Sequence, residues 1–307
     1  MTNPPPLPTS PTIDAIMTDR RAASFTTRSI KKASKLGALE LAASMIDLTT
    51  LEGSDSPEKV RSLCIKAIRP WERDEEMLGH RLGHVAAVCV YPAMVPYAKE
   101  LLDGTGVNVA SVATGFPSGQ YPLNIRVRDV EQAVKDGADE IDMVINRGAF
   151  LSGKYDVVAE EIAAVVEACG DAHLKVILET GELVTYDNVR KASDIAIANI
   201  REGDFIKTST GKVSPAATMP VTLVMLEAIR DAYKDTGKKI GMKPAGGIRT
   251  AKQSWHYLCM VNETLGDGWL SPEWFRFGAS SLLNDVLRSM QKLKSGEYAA
   301  GYDFSDA

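Results

Sequence analysis

Two lysines close neighbouring apolar runs, DFIK at 204–207 and KIGMK at 239–243. If these runs are consecutive strands of one parallel sheet, Lys207 and Lys243 sit on backbones about 4.8 Å apart. Two ammonium groups that close in a partly dry cavity disfavour each other, so one pKa must fall below the usual value of about 10.4. A neutral lysine amine attacks carbonyl carbon, and a neighbouring cation is one way to obtain it near neutral pH. The chemistry expected is a Schiff base with an aldehyde or ketone. Asp142, in the run DEIDMVI (139–145), is placed to move protons during loss of water and at the adjacent carbon. The residues alone leave open that both lysines only bind anionic oxygens.

These side chains need a frame. Short apolar runs recur along the chain: LAASMID (41–47), HVAAVCV (84–90), NVASVAT (108–114), DEIDMVI, HLKVILE (173–179), DFIK, KIGMK and WFRFG (274–278). Apolar residues on both sides of each run are the mark of strands covered on both faces. Helical patterns lie between them. In the stretch 154–169, Val158, Ile162, Val165, Val166 and Cys169 make one apolar stripe, with Glu160, Glu161 and Glu167 elsewhere. Eight strands alternating with helices over about 250 residues predict an α/β chain folded as a (β/α)8 barrel. Chemistry in that fold sits at the C-terminal strand ends. Those positions read Asp47, Cys89, Thr114, Asp142, Glu179, Lys207, Lys243 and Gly278.

Glycine-rich turns follow the last three runs: STGK (209–212), PAGGIR (244–249) and GASS (278–281). Loops after strands 7 and 8 are the usual phosphate site of a barrel, where glycines let backbone N–H groups approach an anion. Ser280 and Ser281 add hydroxyls, and Lys212 and Arg249 add charge. Other motifs fail. A P-loop would need glycine at 206 and Ser or Thr at 213, where Ile206 and Val213 stand. No run is followed by G-x-G-x-x-G. His80 and His84 have metal-ligand spacing, but Arg81 occupies the position of the HExxH glutamate and Gly83 interrupts the helix. The four histidines do not cluster, so no metal is expected, and with no dinucleotide motif no cofactor is expected.

A net charge of −5 argues against a nucleic-acid partner. Cys64, Cys89, Cys169 and Cys259 lack C-x-x-C pairing, which favours a reducing compartment. No apolar run approaches the roughly 20 residues of a membrane span. The N-terminus lacks the order of a secretion signal, so a cytoplasmic protein is expected.

The motifs MIDLTTL (45–51), AAVCVYP (86–92), GADEIDMVIN (137–146), LKVILETGEL (174–183), DFIKTSTGK (204–212), GMKPAGGIR (241–249) and FRFGASSLL (275–283) stand in one order over residues 40–292. Together they resemble the 2-deoxyribose-5-phosphate aldolase family. The resemblance implies a TIM barrel and a metal-free Schiff-base enzyme. Such an enzyme interconverts 2-deoxy-D-ribose 5-phosphate with D-glyceraldehyde 3-phosphate and acetaldehyde, in deoxyribonucleoside catabolism. Lys207 would form the Schiff base, Lys243 would lower its pKa, and Asp142 would transfer protons. Asp47 and Cys89 would line the pocket. Phosphate would be held by Gly211, Lys212, Gly246, Gly247, Ile248, Arg249, Gly278, Ser280 and Ser281. The implied partners are small sugar phosphates and aldehydes, with homo-oligomerisation left open.

Two features depart from the family's short bacterial members. Those end in a tyrosine that assists proton transfer at the enamine carbon, whereas this chain ends GEYAAGYDFSDA, with Tyr298 and Tyr302 inside the tail. The other is a proline-rich, then basic, stretch at 1–38, expected to be a flexible extension before a barrel at 39–293 and a tail at 294–307. The rival readings are another Schiff-base sugar-phosphate or keto-acid aldolase, and a catalytically silent sugar-phosphate-binding barrel.

Overall fold

The computed structural model describes residues 7–297, 299–300 and 303–304, with Ala33 described in its backbone only. Eight parallel strands run in sequence order: β1 Ile46–Thr49, β2 Ala87–Val90, β3 Asn108–Val112, β4 Glu140–Val144, β5 His173–Ile177, β6 Phe205–Lys207, β7 Gly241–Lys243 and β8 Phe277–Gly278. β8 pairs with β1, and two parallel bridges, Met242 to Phe275 and Ala245 to Gly278, draw β7 to β8 and close the barrel.

Strand alternation sorts every side chain to one of two environments. Ile46, Leu48, Val88, Ile141, Met143, Leu174, Val176, Ile206 and Met242 face the surrounding helices in the main core. The intervening residues face the barrel axis, and there the two halves differ. On β2 and β3 the lining is mostly small and apolar: Ala87, Cys89, Ala110 and Val112 form a separate cluster with Leu51. From β4 round through β8 to Asp47 on β1 it is charged. Gly241 makes room for this inner layer, since a Cβ there would meet the Phe205 ring at 2.5 Å.

The helix Tyr155–Cys169 buries Val158, Ile162, Val165 and Cys169 of the stripe its spacing predicts and leaves Val166 half-buried, but it also buries Glu161, which was expected elsewhere and pairs with Arg126. The N-terminal stretch differs from expectation. Residues Ala15–Thr26 and Lys32–Ser44 are helices, and the first packs against Met219–Thr236 and Ala251–Leu265. Its buried face is Thr18, Ala22 and Phe25, and Arg21 pairs with Glu227 at 2.6 Å. A stripe of one aromatic and two small residues is too weak to read among six basic neighbours. The second helix also takes residues 41–44, which had read as the start of the first strand. Phe25 is 1% exposed, so Phe25→Ala is expected to cost about 3 kcal/mol. Thermal unfolding should show a Tm roughly 5–10 °C lower, whereas a loose extension would leave it unchanged.

Candidate active site

Asp142 is the hub of the charged half. It stands in the middle of β4, with its carboxylate in the barrel and both oxygens engaged. Oδ2 accepts from Lys207 Nζ at 2.7 Å and from Lys243 Nζ at 2.8 Å. Oδ1 accepts from Lys175 Nζ at 2.9 Å. Lys207 and Lys243 are register partners on β6 and β7, so the two amines share one carboxylate oxygen. Lys243 Nζ also lies 2.6 Å from Asp47 Oδ2, an ion contact without hydrogen-bond angles. Gly278 opposite keeps this contact open, since a Cβ there would come within 3.1 Å of Lys243 Cε.

Burial pushes the Lys207 amine down; Asp142 opposes that shift and the Lys243 charge adds to it, and the net direction is downward. For Lys243 burial acts the same way, but Asp142 and Asp47 outweigh it and hold the ammonium well above its ordinary range. Burial alone would raise Asp142, yet the three lysines hold it well below the usual carboxylate range. The two lysines are therefore split into an ammonium that keeps its proton and an amine that gives it up more readily.

The structure gathers five of the strand-end positions inside the barrel: Asp47, Cys89, Asp142, Lys207 and Lys243. Asp47, Cys89 and Asp142 lie within their strands and not at the last residue. The Cys89 thiol is 4.0 Å from Asp142 Oδ2, and burial together with that carboxylate pushes it up to about 11. It stands protonated against the apolar wall and is no nucleophile near neutral pH. Glu179 is a correction. The chain turns after β5 with φ of 56° at this residue, and its carboxylate accepts from Thr210 N at 3.2 Å and Thr210 Oγ1 at 2.5 Å. It ties down the loop after β6 and stands apart from the charged centre. Thr114 likewise accepts from Val144 N at 3.0 Å, a link between strands.

Three further charged residues, Lys175, Glu140 and Arg276, lie away from the C-terminal strand ends, where sequence reasoning seeks the chemistry of a barrel. Lys175 on β5 donates to Glu140 as well as to Asp142. Arg276 donates to Asp47 Oδ1 at 2.8 Å and to Glu140 Oε1 at 3.0 Å. Asn108 adds a donor to Glu140 Oε1 at 2.7 Å. Two of them fall an even number of residues from a recognised inward position: Glu140 two before Asp142, Arg276 two before Gly278. That period was the available signal.

The three glycine turns meet at the mouth. A Cβ on Gly246 (φ 78°) would lie 3.4 Å from Gly211 Cα, and Gly246 N donates to Gly278 O at 3.1 Å. Gly247 is exposed beside them, with φ of 82°. Ser281 is exposed at the start of the helix Ser280–Ser295, where free backbone N–H groups favour an anion. Ser280 Oγ instead donates to Thr49 O at 2.7 Å and fastens this helix to β1. Ile248 is a core side chain, Arg249 is exposed with its N–H on Gln253 Oε1, and Lys212 pairs with Glu52 at 2.8 Å across the rim. Tyr298 and Tyr302 lie outside the described residues.

Fold and site together define a (β/α)8 barrel enzyme centred on buried lysines that share a carboxylate. Residues 41–288 match the family model of the DeoC/LacD family aldolases. The chain is 50% identical over 281 residues to the deoxyribose-phosphate aldolase of Homo sapiens, covering 90% of this chain and 88% of the human one. Among solved structures it is similar to a putative deoxyribose-phosphate aldolase from Coccidioides immitis, with TM-score 0.65 and 28% identity over 90% of this chain and 99% of that one. The Aeropyrum pernix deoxyribose phosphate aldolase, described as a unique tetramer, shares the fold at TM-score 0.60 and 24% identity, over 92% and 100% of the two chains. The chain belongs to the deoxyribose-phosphate aldolase family. Among the described residues, no helix is long and apolar enough to cross a membrane.

Proposed function

We propose that this aldolase cleaves 2-deoxy-D-ribose 5-phosphate reversibly through a Schiff base on Lys207. The observation that carries the reading is the shared Asp142 oxygen, which puts a proton-retaining Lys243 beside a Lys207 whose proton is loosely held. Neutral Lys207 attacks the aldehyde carbon of the open-chain sugar to form a carbinolamine. A proton from the Lys243 ammonium, relayed by Asp142, reaches its hydroxyl, which leaves as water, and the iminium forms. The sugar's third-carbon hydroxyl then gives up its proton, and the bond between the second and third carbons breaks. Its electron pair moves into the iminium, leaving an enamine and releasing glyceraldehyde 3-phosphate. Protonation of the enamine carbon and hydrolysis return acetaldehyde and free Lys207.

The glycine turns and the start of helix Ser280–Ser295 support the phosphate end of this reading. Holding the far end of the substrate presents its aldehyde to Lys207 and makes the attack effectively intramolecular. Phosphate contacts are proposed at Gly211, Lys212, Gly246, Gly247, Ile248, Arg249, Gly278, Ser280 and Ser281. Ile248 would contribute only its backbone, and Ser280 would act by placing the helix start. Asp47 and Cys89 would form pocket walls. The apolar lining of Cys89 and Val112 suits the two-carbon product, which carries no hydroxyl. The reading places the enzyme in the cytoplasm, in deoxyribose phosphate catabolism. Donor choice tests it: condensation with glyceraldehyde 3-phosphate should proceed with acetaldehyde and fail with ketone and keto-acid donors. Preference for a ketone donor would identify a different Schiff-base aldolase.

A further inference from the structure

The inward-facing groups around Asp142 can be counted by charge. Three are carboxylates: Asp47 on β1, and Glu140 and Asp142 on β4. Besides Lys207 there are three cations: Lys175 on β5, Lys243 on β7 and Arg276 just before β8. The remaining titratable neighbour, Cys89 on β2, is protonated, and β3 presents Asn108. Three anions against three cations leave the dry volume neutral only when Lys207 carries no proton.

Geometry says why Lys207 is the odd amine. Lys175 is fully buried between Glu140 and Asp142, with Asp47 at 3.9 Å. Lys243 touches Asp142 and Asp47. Arg276 spans Asp47 and Glu140. Lys207 has Asp142 alone, through an oxygen that Lys243 also holds. A proton on Lys207 would add one uncompensated charge to a buried site, which is unfavourable.

We propose that Lys175 is a positioning residue of the reaction. With Glu140 and Arg276 it completes a charge-balanced floor beneath Asp142, and that balance keeps Lys207 in its nucleophilic form. Lys175 touches no reacting atom in this account; it acts through Asp142. The inference rests on Lys207 being the Schiff-base lysine. A purely structural role for Lys175 would predict loss of stability or of folded protein, with the pH profile of the surviving enzyme unmoved.

The test is the acid limb of kcat/KM against pH, which reports the free enzyme's Lys207, in variants that change the count by one in either direction. Lys175→Met leaves one negative charge in excess. Its limb should move up by about one pH unit or more, a tenfold loss at fixed pH that is recovered by raising pH. Glu140→Gln leaves one positive charge in excess and should move the limb down. The double variant Lys175→Met/Glu140→Gln restores the balance and should return the limb to within about half a unit of the parent. Lys175→Arg, which keeps the charge, should do the same. Limbs that stay put, or that move the same way in both single variants, overturn the inference. If Lys175→Met does not fold, Glu140→Gln and the double variant decide, and an unmoved limb in Glu140→Gln overturns it. Borohydride trapping of the parent separates the two levels. An adduct on Lys207 with stationary limbs sinks only the charge balance, and an adduct elsewhere sinks the aldolase mechanism first.

Discussion

Lys207→Leu is expected to lower kcat/KM by at least about 10⁴-fold at every pH, because no other amine is placed to replace the nucleophile. The protein should stay folded. Removing Lys207 leaves three carboxylates facing Lys175, Lys243 and Arg276, so no buried charge loses its counterpart. A Tm within about 3 °C of the parent, alongside that loss of turnover, separates a chemical role from a structural one. Residual activity above about 1% would mean that another group performs the attack.

The second large effect is at Lys243. Replacing it by leucine removes the cation that shares Asp142 Oδ2 with Lys207 and frees Asp47 Oδ2 as well. The field at Lys207 becomes more negative, so its amine binds a proton more tightly and its pKa rises. The neutral fraction falls about tenfold for each unit of that rise, and turnover at neutral pH should drop by roughly 10²–10³-fold. Because the loss is one of protonation state, part of it returns as pH rises. A kcat/KM profile recovering toward alkaline pH is the expected result. An equal loss at every pH would show that Lys243 acts only as a proton donor to the leaving hydroxyl and does not set the charge of its neighbour.

The frame of this site was readable because parallel strands covered on both faces leave apolar runs, and eight such runs at barrel spacing admit few folds. The pair Lys207 and Lys243 was readable because each interrupts such a run at its end. Lys175 interrupts HLKVILE in its middle, and an inward charge there makes sense only once a second buried charge is known to face it. Arg276 and Glu140 are hidden for the same reason: their partners come from other strands, and pairing across a barrel is not written in local order. Glu179 shows the opposite error. It closes an apolar run in the sequence, but it lies past the end of β5, where the backbone turns and sends its carboxylate to Thr210. The helix Ala15–Thr26 was missed because its buried face uses Thr18 and Ala22, residues that mark a core only when a groove is there to receive them.

The central claim is that Lys207 carries the covalent intermediate. Borohydride reduction in the presence of 2-deoxyribose 5-phosphate or acetaldehyde, followed by peptide mass mapping, measures it directly. The account predicts a reduced two-carbon or sugar-phosphate adduct on the peptide containing Lys207, absent without substrate and absent in Lys207→Leu. An adduct on Lys243, or no adduct under turnover conditions, would contradict it.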